Sequence, residues 1–166
     1  MNIEASMAFL DELRRLLSGN TLIVCLGNTL RGDDAIGILV GRRLLKEKIG
    51  CRVLVYEDGL ENHLGEIGRL KPSKILVVDA VDAGLEPGTI VLAKAENASH
   101  IVVSTHKLPL SLMYKFLRDI YGVEEMWVLG IQVERTDFGG EVSKKIREAG
   151  KAVVGLIKRA KRETID

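Results

Sequence analysis

Leu22-Ile-Val-Cys-Leu-Gly-Asn-Thr-Leu-Arg-Gly-Asp-Asp-Ala-Ile-Gly37 is the stretch that decides the fold. Leu22 to Leu26 is an apolar run without polar alternation, the pattern of a strand covered on both faces, as in a parallel sheet. Gly27, Asn28 and Gly32 then supply residues that tolerate positive φ or allow close backbone approach, so a tight turn follows. Asp33 and Asp34 stand where a helix begins, one as an N-cap and the other in the first turn, near the positive end of the helix dipole. This places two carboxylates at the carboxyl end of a strand, where open α/β sheets bind ligands. As caps they need no further role; as ligands they suit a cation. Gly27, Gly32 and Gly37 are five apart, which matches neither G-x-G-x-x-G nor G-x-x-x-x-G-K-[ST], and adjacent acids would repel a pyrophosphate.

Upstream, Ile3, Met7, Leu10, Leu13 and Leu17 recur at helical spacing and Ser18-Gly-Asn20 stops the run, so residues 1–20 carry an extra amphipathic helix ahead of the sheet. Downstream, Asp33 to Lys48 is a helix burying Ile36, Val40, Leu44 and Leu45, with Arg42, Arg43 and Lys46 outside and Ile49-Gly50 ending it. Arg52 to Tyr56 is a second strand, followed by Glu57-Asp-Gly-Leu-Glu61 and a short helix around Asn62 to Leu70 before a turn at Pro72. Ile75 to Val78 is a third, unalternating strand, with Asp79 just past its end. Pro87-Gly88 turns the chain into a strand over Thr89 to Lys94, antiparallel because the connection is too short for a crossover helix.

The polar loop Ala95 to Thr105 delivers His106 to the start of a helix whose apolar positions are Leu108, Leu112, Phe116 and Ile120. Met126 to Val133 is the last buried strand. Glu141 to Arg162 is the last helix, burying Val142, Ile146, Val153, Val154 and Ile157. Strands alternating with helices specify one α/β domain over 1–166, a three-layer α/β/α sandwich on a twisted, mostly parallel sheet of about five strands.

The length of 166 residues suits one continuous core, and 46% hydrophobic residues is ordinary globular composition. With 24 basic and 23 acidic residues the net charge is +1, which makes no electrostatic case for nucleic acid or membrane, and 4% aromatics offers little for stacking on bases. Cys25 lies in one strand and Cys51 at the start of another, both as small buried hydrophobes rather than disulfide or zinc partners. No apolar run approaches the length of a membrane span and no signal peptide is evident, so a soluble, cytoplasmic protein is expected.

Asp34, Asp79 and His106 fall at equivalent ends of sheet elements, and two carboxylates with an imidazole form a donor set for a borderline divalent metal such as nickel or zinc. Taken singly, each has a plainer reading, Asp79 as an Asx turn and His106 as a surface or capping residue. His63 and His100 read as surface residues. Ser104 and Thr105 neighbour His106, but without a G-x-S-x-G elbow they make no serine triad.

The segment Gly27 to Gly37 resembles the G-N-x-L-x-x-D-[DE]-x-x-G signature of the hydrogenase maturation endopeptidases, which trim the C-terminal tail of the [NiFe]-hydrogenase large subunit. Ser104-Thr-His106 stands where that family often has S-P-H, and Glu57-Asp-Gly59 where it has an acid and glycine after the second strand. Leu129-Gly-Ile-Gln-Val133 resembles its G-I-Q-P segment, with Val133 in place of Pro, and the likeness spans about residues 21 to 140.

The resemblance implies a phosphorylase/hydrolase-like sandwich and an endopeptidase without a conventional nucleophile. Asp34, Asp79 and His106 would form its metal-binding triad, with Gly27, Asn28, Asp58 and Gly59 shaping the substrate loop. Nickel would arrive on the large-subunit precursor, and zinc or cadmium could occupy the same site. Either the metal polarises the carbonyl or activates water, or a carboxylate among Asp33, Asp34 and Asp79 acts as general base. The competing readings are a non-catalytic nickel-binding assembly module and a nucleotide-binding α/β protein.

Overall fold

The computed structural model describes residues 3–101 and 108–164. Its centre is a five-stranded sheet of order β2-β1-β3-β5-β4, built from β1 (Thr21–Leu26), β2 (Arg52–Tyr56), β3 (Lys74–Val81), β4 (Ile90–Lys94) and β5 (Glu125–Gln132). β2, β1, β3 and β5 run parallel, while β4 joins β5 antiparallel, as its short connection requires. The helices are α1 (Ile3–Leu17), α2 (Ile36–Glu47), α3 (Leu64–Arg69), α4 (Leu110–Tyr121) and α5 (Lys144–Arg162).

Every residue of β1 is buried, because strands flank it and helices cover both its faces. Ile23 and Cys25 point into a core shared with Leu76, Val78, Leu129 and the inner faces of α1, α2 and α5. Leu22, Val24 and Leu26 point into the other, with Ile75, Val77 and the inner faces of α3 and α4. The three-layer α/β/α expectation therefore holds, and the two cores are the two sides of one sheet.

Several boundaries and faces differ from the sequence expectation. The chain does not enter α2 at Asp33: Gly32–Ala35 forms a 3-10 turn first, and neither aspartate caps α2, whose N-cap is Ala35. Leu45 faces outward, as does Met7, while Leu16 joins Leu10, Leu13 and Leu17 on the inner stripe of α1. β3 continues to Val81, so Asp79 lies inside the strand, in register with Gly130, rather than past its end. The apolar face expected on α4 is the wrong one. Leu108, Leu112, Phe116 and Ile120 are exposed, and the helix instead buries Leu110, Met113, Tyr114 and Leu117. Both sets are apolar, but only the second has the i, i+3, i+4, i+7 spacing that keeps one stripe against a sheet.

The strand order sets where a ligand can sit. From β1 the chain crosses to β2 on one side and returns to β3 on the other, so the crevice at the carboxyl ends of β1 and β3 is the topological switch point. No helix among the described residues is long and apolar enough to cross a membrane.

Candidate active site

The loop after β1 is shaped by backbone contacts that glycine alone permits. A Cβ on Gly37 would lie 1.9 Å from the Leu26 carbonyl oxygen and 2.9 Å from that of Val78, so the start of α2 rests directly on β1 and β3. A Cβ on Gly27 would meet the Asp34 carbonyl oxygen at 2.5 Å, the same oxygen to which the Asn28 N–H donates at 2.9 Å. Asn28 Oδ1 in turn accepts from the Leu30 N–H at 2.9 Å, closing an Asx turn. Gly27 and Asn28 thus hold the backbone of Asp34 in place.

Asp33 turns away from this crevice. Its Oδ2 accepts from the N–H groups of Glu134 at 2.9 Å and Arg135 at 2.7 Å, and its Oδ1 accepts from the N–H and hydroxyl of Ser143, each at 2.7 Å. The Asp33 N–H donates to the Arg135 carbonyl at 2.8 Å, completing the clasp. Burial alone would push this carboxyl up. The N–H donors of Arg135, Ser143 and Glu134 and the Ser143 hydroxyl outweigh burial and hold it below the ordinary carboxylate range. With both oxygens engaged, Asp33 ties the loop after β5, and the N-cap of α5, to the loop after β1. The general-base role expected of it has no open oxygen to work through.

Asp34, one residue on, lines a polar pocket of about 420 Å³ with Asn28, Arg31, Glu57, Asp58 and Thr136. Gly59 also borders it, so three of the four loop residues singled out in the sequence, Asn28, Asp58 and Gly59, line the pocket, and Gly27 does not. The pocket opens where the loops after β1, β2 and β5 meet. Thr29 Oγ1 donates to Glu57 Oε1 at 2.6 Å, joining two of those loops. The Arg31 guanidinium lies 4.8 Å over the Phe138 ring, a cation–π contact that sets one cation among three pocket acids.

His63, read from the sequence as a surface residue, is only partly exposed and bonds Asp58, which lines the pocket. Its Nε2 is 2.6 Å from Asp58 Oδ1 and its Nδ1 3.4 Å from Glu66 Oε2, and its ring stacks on Tyr56 at 3.6 Å. The bond from His63 holds the Asp58 carboxyl below its ordinary value. Arg31 and Thr136 come from separate loops, so no local spacing in the sequence joins them, whereas Glu57 belongs to the Glu57-Asp-Gly59 match.

Asp79 is wholly buried within β3, and its Oδ1 accepts from the Ala80 N–H at 2.7 Å. By strand alternation it shares a face with Ile75, Val77 and Val81. Burial and then the charge of Asp79 push the thiol of Cys25 up, which makes Cys25 an inert neighbour. The 3-10 turn that carries Asp34 packs against β3, the strand that bears Asp79. Gln132, from the Leu129 to Val133 segment, accepts from the Ala83 N–H at 2.8 Å and donates to Asp82 at 3.2 Å, bracing the loop after β3. His106 lies outside the described residues, and α4 begins only at Leu110, behind Pro109. Among the described residues no group of three His, Cys, Asp or Glu side chains is gathered to hold a metal.

A family model described as hydrogenase maturation protease matches residues 59–160. The hydrogenase 3 maturation protease of Escherichia coli K12 is 32% identical over 134 residues, covering 80% of this chain and 85% of its own. Among solved structures, the [NiFe] hydrogenase maturation protease HycI of Thermococcus kodakarensis superposes with a TM-score of 0.77 at 32% identity, over 91% of this chain and 99% of its own. The solution structure of the Escherichia coli endopeptidase HycI gives a TM-score of 0.76 at 27% identity, over 85% and 90% of the two chains.

Proposed function

The chain belongs to the hydrogenase maturation protease family, and we propose that it is an endopeptidase that removes the C-terminal extension of a nickel-loaded [NiFe]-hydrogenase large-subunit precursor, working in the cytoplasm. The observation that carries this reading is Asp34, held by the signature residues Gly27 and Asn28 at the edge of an open polar pocket beside the strand that bears Asp79.

In this reading Asp34, Asp79 and His106 meet the nickel that the substrate carries. Two carboxylates and an imidazole suit such an ion, and zinc or cadmium would suit the same donors. Bound there, the ion fixes the scissile peptide by proximity and polarises its carbonyl. Asp34 is the better placed of the two acids to take a proton from an attacking water, because it borders the open pocket while Asp79 is sealed within β3. Arg31 and Asp58, on opposite loops of the same pocket, offer one cation and one anion to the backbone of an extended tail. Asp33 keeps the pocket's shape and takes no part in the proton transfer.

The test is incubation of the purified protein with nickel-loaded and nickel-free large-subunit precursor, followed by intact-mass analysis. Loss of a short C-terminal peptide from the nickel-loaded sample alone is the expected result. Binding without cleavage of either form would replace the peptidase with a nickel-binding assembly module.

A further inference from the structure

On the face of the sheet covered by α1, α2 and α5, the last two helices leave between them a groove of about 580 Å³ that shares no lining residue with the Asp34 pocket. Its floor is apolar, formed by the buried Val40 and Val154 and the backbone at Gly155, with the exposed Leu39 beside them. Its rim carries Arg43, Arg147, Lys151 and Lys158 against a single carboxylate, Glu47. Glu47 is already shared between Arg43, at 2.6 Å, and Lys158, so it leaves the rim with a surplus of positive charge. The surplus is local. α5 holds eight Lys or Arg and one Glu in a chain whose net charge is only +1.

Two glycines of α5 border the groove, and they differ. A Cβ on Gly150 would lie 2.6 Å from Ile36 Cδ1, so Gly150 exists because α2 and α5 meet closely over it. A Cβ on Gly155 would meet nothing within 4 Å. Glycine within a helix weakens that helix, and at Gly155 the fold gains no internal contact in return. Its effect is to leave the groove floor open where another backbone can approach most closely.

We propose that this groove docks an acidic amphipathic helix of a partner protein. From Arg147 to Lys158 the helix rises through roughly 16 Å, about three turns, so the occupant would present small apolar side chains at i, i+4 and i+7 to the floor and Asp or Glu on its flanks to the rim. Charge complementarity selects the sign of the partner, and the apolar floor selects its class. No Phe, Tyr or Trp lines the groove to stack on bases. Its apolar surface is sunk between cationic rims, whereas a membrane is met by an apolar face that projects.

The test uses the full chain and a fluorescently labelled three-turn peptide with Leu and Ala at the i, i+4 and i+7 positions and Glu elsewhere, read by anisotropy. Binding is expected to weaken about tenfold or more in Gly155→Leu, which fills the floor, and in Lys151→Glu, which inverts the rim, and to weaken as salt is raised. Circular dichroism checks that Gly155→Leu keeps its fold; should it not, Lys151→Glu, a surface change, carries the test alone. Equal binding of a Lys-flanked version of the peptide, peptide affinity unchanged in both variants, or no peptide binding at all would each overturn the proposal. Binding of an oligonucleotide or an anionic vesicle in place of the peptide, lost in Lys151→Glu but intact in Gly155→Leu, would overturn it in favour of a phosphate-binding surface.

Discussion

Asp33 and Asp34 are adjacent, chemically identical and almost equally buried, at 0% and 3% exposure, yet they face different parts of the molecule. Asp33 spends both oxygens on the loop after β5 and the start of α5, and Asp34 borders the open pocket at the switch point. The 3-10 turn at Gly32–Ala35 produces the division, because successive residues of so tight a turn project in different directions. One aspartate ties two loops together while the other lines the pocket between them. Burial alone therefore does not separate the two acids; the elements each one faces do.

The largest effect expected from breaking this division falls on stability. Asp33→Ala would strand the N–H groups of Glu134, Arg135 and Ser143 and the Ser143 hydroxyl, at a cost of about 3–5 kcal/mol by urea unfolding. The same contacts set a pH dependence. Because the folded carboxyl titrates below the unfolded one, near pH 4, the charged Asp33 contributes its full stability above about pH 4 and loses it as pH falls through the folded value. Asp33→Asn should flatten the stability profile below about pH 4. An Asp33 variant of native stability and profile that nevertheless fails to process precursor would reverse the assignment of the two acids.

Next comes the complementary change. Asp34→Asn keeps the shape of the side chain and removes its charge, so precursor processing is expected to fall by about a hundredfold or more. A loss of stability comparable with that of Asp33→Ala would make Asp34 a second structural clasp.

The sheet was legible from its apolar runs because a parallel strand buried on both faces needs continuous hydrophobicity, and Leu22 to Leu26 and Ile75 to Val78 supply it. The position of Asp34 was legible from the glycine spacing around it. The role of Asp33 was not, since its donors lie about a hundred residues away in the loop after β5, and no local pattern encodes that meeting. Asp79 misled for a related reason: a buried acid inside a strand looks like a strand terminus when only hydrophobicity is read. On α4 both faces are apolar, so periodicity alone could not choose between Leu112 and Met113.

The smallest effect expected is at another of the pocket's three acids, Asp58, which stands between the two extremes. Like Asp33 it is held by a neighbour, His63, at 2.6 Å; like Asp34 it lines the pocket; but unlike either its side chain is 54% exposed. Water can therefore replace a lost partner, and pairs this open contribute little. His63→Ala removes both the bond and the stack on Tyr56, so the Asp58 carboxyl should rise from its depressed position toward the ordinary value near 3.9, a change followed by NMR titration. Processing should fall by less than about tenfold, since Asp58 would keep its charge at neutral pH and lose only its fixed orientation. A hundredfold loss with the titration unchanged would mean that His63 meets the substrate itself. The division of labour proposed for the aspartate pair would then extend to an Asp–His pair in the segment after β2.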